Sequence, residues 1–144
     1  MSHGYFADTW YLVALIKRDD PHHGLAKRIS ASLVGALVVT SDAVLIELLS
    51  YVCESGELLR ARAGEFVSRA LDGATDLQVI EQDRDLFRVA LERYRKRADK
   101  GYSLVDCMSM CIMDKQSIAN AITDDHHFEQ ERFVAVREPI NEQG

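Results

Sequence analysis

No stretch of this sequence offers the roughly 20 consecutive apolar residues that a bilayer-spanning helix needs, because Glu47 and Asp106 interrupt the longest apolar segments. A membrane span is therefore not expected. The N-terminal "MSHGYFAD" lacks the basic and long apolar regions of a secretory signal, so a cytoplasmic location is the expectation. Positive charge is in deficit: 17 Lys and Arg stand against 23 Asp and Glu, a formal charge of −6. That balance argues against broad electrostatic affinity for nucleic acid. Cysteine is scarce. Cys53, Cys107 and Cys111 are odd in number and lack the spacing of a zinc knuckle or redox motif. They are expected to be small buried core residues. There is no internal repeat, low-complexity segment or domain linker, and no Ser/His/Asp constellation or Gly-rich phosphate loop.

What is present fits one soluble globular domain. The chain has 144 residues, 47% of them apolar and 28% charged, which allows a continuous core and argues against disorder. The domain is expected over 1–138, with "PINEQG" providing a frayed tail over 139–144.

The apolar patterning alternates between short β-branched runs and longer helical spacings. Strands are expected at 5–7, 37–40, 77–80, 119–123 and 133–136. Helices are expected at 9–16, 25–33, 58–71, 83–98 and 103–115, with another in "AVLIELLSYV" after a Ser41 or Asp42 cap. In the 83–98 helix, Leu86, Phe87, Ala90, Leu91 and Tyr94 are expected to face inward. Leu45, Leu48, Leu49, Val52, Leu58 and Leu59 are expected in the core. Such alternation predicts an α/β fold with a mainly parallel sheet, helices on both faces and a binding site beyond the carboxyl ends of the strands.

Three carboxylates occupy positions where the patterning predicts core. Asp8 ends a strand, Glu47 interrupts "VLIELL" and Asp106 interrupts "SLVDCMSMCIM". An ionised carboxylate in apolar surroundings costs several kcal/mol or more unless it gains a charged partner, hydrogen bonds, a proton or a metal. Asp8 could instead cap a helix, and Asp106 could close a capping box with Ser103. Glu47 lies too far inside its helix to cap it, which leaves a salt bridge to a core-facing arginine as its structural alternative. The aspartates of "AITDDHHFEQERF" follow another strand, so all these acids can converge at one sheet edge. Hard oxygen donors with few imidazoles select Mg²⁺ or Mn²⁺ over zinc.

In order and spacing, "FADTWYLVAL", "TSDAVLIELL", "GYSLVDCMSMCIM" and "ITDDHHFEQERF" resemble the successive motifs of PIN-domain ribonucleases. The resemblance is strongest to the stand-alone VapC-type toxins of toxin–antitoxin modules. It implies a PIN-like three-layer α/β/α fold and metal-dependent RNA hydrolysis. It also implies a cognate antitoxin and a homodimer. By the same resemblance Asp8, Glu47, Asp106 and Asp125 bind metal, with Asp124 a supplementary ligand or simply solvated. Thr9, Ser103 and Thr123 stand beside the acids as hydroxyls suited to orient them. His127 is expected to support the loop or pack beside Phe128, and His22, His23 and His126 to lie in turns or at the surface.

An acidic site that takes a polyanion needs flanking cations. "RYRKRADKGYS" supplies Arg93, Arg95, Lys96, Arg97 and Lys100 for phosphates and Tyr102 for stacking; a solvated helix end whose cations complement the macrodipole is the alternative. Two further readings stay open at this level: a non-catalytic module that binds RNA or protein, and a structure-specific DNA nuclease.

Overall fold

The computed structural model describes residues 4–140. Five strands, β1 (Tyr5–Ala7), β2 (Val38–Ser41), β3 (Leu77–Ile80), β4 (Asn120–Ile122) and β5 (Val134–Val136), form one sheet in the order β3-β2-β1-β4-β5. Every pairing is parallel. The connections are helical: α1 (Thr9–Ile16) and α2 (His23–Ser32) precede β2, and α3 (Asp42–Val52) and α4 (Glu57–Leu71) precede β3. Next come α5 (Arg84–Lys96) and α6 (Leu104–Gln116) before β4, then the short α7 (His127–Gln130) before β5. Among the described residues, no helix is long and apolar enough to cross a membrane.

Chain order runs outward from β1 through β2 to β3, then returns to the other side of β1 for β4 and β5. The helices thus fall into two groups, α1–α4 on the way out to β3 and α5–α7 after it. The reversal between β1 and β4 opens a crevice beyond their carboxyl ends, the usual binding position in open parallel sheets. The register there is tight. Ala7 pairs with Ile122, and the Asp8 amide donates to the Ile122 carbonyl at 3.2 Å. Asp8 and Thr123, the next residue on each strand, are thus brought together.

Beneath the crevice lies a continuous core including Phe6, Leu12, Val39, Leu45, Leu48, Met110, Met113, Ile122 and Phe128. The expected core on α3 and α4 needs one correction. Leu45, Leu48, Val52 and Leu59 are buried and Leu49 is partly so, but Leu58 is 72% exposed at the start of α4. Cys107 is buried and Cys111 half-buried, as expected of core thiols, whereas Cys53 is exposed because it falls at the C-terminal cap of α3. Burial pushes the Cys107 thiol up to about 11, which keeps it protonated and unreactive.

The inward face of α5 is also a correction. Ala90 is fully buried and Leu86 packs on the core, but Phe87, Leu91 and Tyr94 are exposed. The buried stripe runs Leu86, Ala90, Arg93 at helical spacing, one step round from the apolar stripe Phe87, Leu91, Tyr94. Arg93 reaches Asp114 of α6 at 2.5 Å, and its Nη1 lies 4.0 Å from Glu131. This pairing sets the helix's rotation. Near the C-terminus, the Ile140 amide donates to Ser32 Oγ at 2.9 Å and its side chain packs on the core. Residues 141–144 of the expected tail lie outside the described residues.

Candidate active site

Asp8 is 7% exposed at the end of β1. It occupies the cap position of α1 in an extended conformation, yet its side chain makes no capping hydrogen bond. Instead it accepts a 2.7 Å hydrogen bond on Oδ2 from the Thr123 hydroxyl. Burial pushes its carboxyl up to about 6. The Thr123 hydroxyl and the Thr9 backbone N–H oppose that rise, and the negative charges of Asp106 and Glu47 add to it.

Glu47 enters from the second turn of α3, whose first turn is capped by Ser41 accepting from the Val44 amide. The Thr9 hydroxyl donates to Glu47 Oε1. No arginine or lysine pairs with Glu47 among the described residues, so a core-facing arginine does not explain it.

Asp106 sits in the first turn of α6. The Ser103 amide donates to its Oδ2 and its own amide donates to Ser103 Oγ, both at 3.0 Å. The capping box is therefore formed, and it also aims the carboxylate at the crevice. Burial raises the Asp106 pKa. The Ser103 backbone hydrogen bond opposes this, Asp125 raises it further, and His127 lowers it.

The loop after β4 completes the group. Thr123 Oγ1 accepts from the Asp125 amide at 3.0 Å, and Asp125 Oδ1 accepts from the His127 amide at 2.9 Å. The chain bends at Asp124 within this loop, leaving Thr123 buried, Asp125 half-buried and Asp124 exposed. Asp124 is exposed and lies 3.5 Å from Arg137 Nε. Asp124, expected as a supplementary ligand or a solvated side chain, thus has Arg137 as its neighbour at the surface.

His127 contacts two of these acids as well as packing in the loop. Its Nδ1 lies 3.3 Å from Asp106 Oδ2 and 3.2 Å from Asp125 Oδ2. Asp106, Asp125 and His127 bring ligand atoms within 4.8 Å of one another. The sequence signal was the single residue between Asp125 and His127, but only the start of α7 at His127 turns that spacing into a shared face. His126 is exposed, His22 lies in the turn beside Asp20 and Trp10, and His23 Nδ1 contacts the Ala14 carbonyl.

The chemistry of this donor set fits a hard divalent cation: carboxylates predominate, they repel one another, and hydroxyls rather than cations orient them. Among the described residues, no reactive thiol or nucleophilic triad shares the crevice.

The flanking cations are more self-paired than their sequence suggests. Lys96 lies 2.9 Å from Glu92, Arg97 3.3 Å from Glu131 and Lys100 3.8 Å from Asp99. Arg93 is drawn into the α5–α6 contact, while Arg95 is exposed. Tyr102 is corrected outright as a stacking platform. It is 4% exposed, its hydroxyl donates to Glu131 at 3.0 Å, and its ring meets His127 edge-on at 5.2 Å. Burial and the Glu131 carboxylate push its phenol up to about 12.

The PIN-domain family profile matches residues 5–133. The chain belongs to the PIN-domain family. It is 34% identical over 135 residues to the 23S rRNA-specific endonuclease VapC20 of Mycobacterium tuberculosis strains CDC 1551 and H37Rv, covering 92% of this chain and 97% of the relative. The crystal structure of VapC20, described as a sarcin-ricin loop cleaving toxin, superposes with a TM-score of 0.81 at 33% identity over 92% of this chain and 98% of that one. VapBC2 from Rickettsia felis, bound to a promoter DNA fragment, and FitAcB from Neisseria gonorrhoeae each give 0.61 at 17% identity. They cover 92% and 94% of this PIN domain and 97% of their own chains, and share its fold.

Proposed function

We propose that this chain is an Mg²⁺- or Mn²⁺-dependent endoribonuclease of the VapC toxin type, acting on a structured ribosomal RNA and restrained by a cognate antitoxin. The carrying observation is the gathering of Asp8, Glu47, Asp106 and Asp125 around the β1–β4 crevice without a lysine or arginine to neutralise them. A 34% identical relative named as a 23S rRNA-specific endonuclease supports the substrate class.

Those four residues would hold the cation, and the chemistry it supplies when bound is activation of a water and of the scissile phosphodiester, with stabilisation of charge on the leaving oxygen. The chain's own contribution is orientation. Thr123 fixes the Asp8 carboxyl, Thr9 fixes Glu47, and Ser103 fixes Asp106. In the metal-free protein the raised pKa of Asp8 keeps a fraction of that carboxyl protonated near pH 6. Proton and cation thus compete for it.

Arg95, Lys96, Arg97 and Lys100 are the proposed phosphate contacts, since exposed pairs such as Lys96–Glu92 exchange partners at little cost. Arg93 contributes by setting the α5–α6 packing. Ile46 and Tyr51 of α3 and Leu58 of α4 form exposed apolar surface, suited to the antitoxin that the family implies. Homodimerisation is part of the same proposal, with the exposed Phe87, Leu91 and Tyr94 as available apolar area.

The test is incubation of antitoxin-free protein with labelled total RNA, in Mg²⁺ or Mn²⁺ and in chelator, beside Asp8→Asn. Discrete fragments that need both the cation and Asp8 are expected. A folded, cation-bound protein that leaves every RNA intact would refute the reading.

A further inference from the structure

We infer that His127 donates its Nδ1 lone pair to the bound cation, making the site a mixed nitrogen–oxygen centre and not one of carboxylates alone. The inference rests on the cation of the nuclease reading and adds a ligand to it.

Three observations carry it. First, Nδ1 faces two carboxylate oxygens at nearly equal distance, 3.3 Å to Asp106 and 3.2 Å to Asp125. One N–H makes one well-directed hydrogen bond, and both distances lie at the long end for a charge-assisted pair. The arrangement is better described as three ligand atoms within 4.8 Å of one another, the nitrogen close to both oxygens. Adjacent ligands on an octahedral cation bonded at roughly 2.1 Å lie about 3 Å apart, close to these spacings.

Second, the His127 backbone and ring each have a further contact. The His127 amide is tied to Asp125 Oδ1 at 2.9 Å, and the ring stands edge-on to buried Tyr102, whose hydroxyl is anchored on Glu131. Such an imidazole is pre-oriented and need not spend Nδ1 on positioning itself. Third, the two carboxylates it faces come from α6 and from the loop after β4, so a nitrogen bound with them would fasten two separate elements around one ion. A nitrogen donor also shifts preference toward Mn²⁺ relative to Mg²⁺.

The experiment is pulsed electron paramagnetic resonance of Mn²⁺ alone, bound to the full chain, beside His127→Gln, with Mn²⁺ and Mg²⁺ affinities of both proteins measured by calorimetry. The wild type should show a directly bonded imidazole nitrogen coupling that His127→Gln lacks. That variant should bind Mn²⁺ at least tenfold more weakly and lose less than about threefold for Mg²⁺. If His127→Gln does not fold, ¹⁵N-histidine labelling of the wild type reads the same bond through a changed coupling pattern. Bound Mn²⁺ without nitrogen coupling overturns the inference while leaving the nuclease reading intact. Failure to bind Mn²⁺ at all overturns it together with the cation that reading needs.

Discussion

The crevice between β1 and β4 and the outer end of α5 treat charge in opposite ways. In the crevice four carboxylates lie near one another, and among the described residues their partners are hydroxyls, backbone amides and the imidazoles of His126 and His127, with no lysine or arginine. On α5 and the loop after it, Arg93, Lys96, Arg97 and Lys100 each have an acid within 4.0 Å. The sequence displays both regions as charge clusters, but only the first remains unneutralised when folded. Gathering like charges without counter-ions raises pKa values and costs stability. A fold that retains such a group is prepared for a cation, whereas the α5 cluster first serves to join α5 to α6 and to α7's flank.

The largest test of this contrast is to remove a crevice acid. Asp125→Asn or Glu47→Gln should lower RNA cleavage at saturating Mg²⁺ by at least about a hundredfold, measured as single-turnover rates on one defined RNA, with the fold unchanged by circular dichroism. Neutralising Asp124 beside them should leave the rate within about threefold, because that side chain turns toward Arg137.

Next in size is a stability effect of opposite sign. Asp8 has its ordinary value of 3.8 when unfolded and about 6 when folded. The folded protein therefore holds the proton more tightly, so its metal-free stability falls as pH rises from about 4 to about 6 and stays lower above that. The difference is worth about 3 kcal/mol at full ionisation as an upper bound. Metal-free Asp8→Asn should accordingly be more stable than wild type at pH 7.5 by as much as this, and the gain should vanish near pH 4. Urea unfolding at the two pH values measures it.

On the α5 side the expected changes are smaller. Arg93→Ala should cost about 1 kcal/mol of stability by leaving Asp114 without its guanidinium donor and removing the positive charge 4.0 Å from Glu131. Arg95→Ala and Lys100→Ala should instead leave stability nearly unchanged and weaken RNA binding, each lowering the salt slope by roughly 0.7 for a single-stranded phosphate contact. Smallest is Tyr102→Phe, which loses the 3.0 Å bond to Glu131 and should cost about 1 kcal/mol. RNA affinity should not change, since the buried ring has no open face for a base.

The strand–helix alternation was legible because the strands are short apolar runs, β2 and β3 with β-branched residues, and because side-chain caps mark several helix starts, Ser41 and Ser103 among them. Asp8, Glu47 and Asp106 were visible as charges in apolar runs, a local signal that survives without coordinates. The family motifs then supplied Asp125. Other features depend on pairing across space. The rotation of α5 is set by Arg93 meeting Asp114 and Glu131, so the apolar stripe Phe87, Leu91, Tyr94 misled. Tyr102 stands beside basic residues in sequence, but Glu131, distant in sequence, captures its hydroxyl. His127 becomes a site residue only because α7 begins there and the adjacent loop turns Asp125 inward. Periodicity along one segment carries none of this.

The central claim is that the crevice acids stay unneutralised because a cation completes them. Calorimetric titration of Mn²⁺ into metal-free wild type and Asp106→Asn at pH 7.5 tests it most directly. Saturable binding by the wild type, weakened at least tenfold in the variant, is the predicted result. Equal affinity in the two proteins, or no binding by a folded wild type, would contradict it.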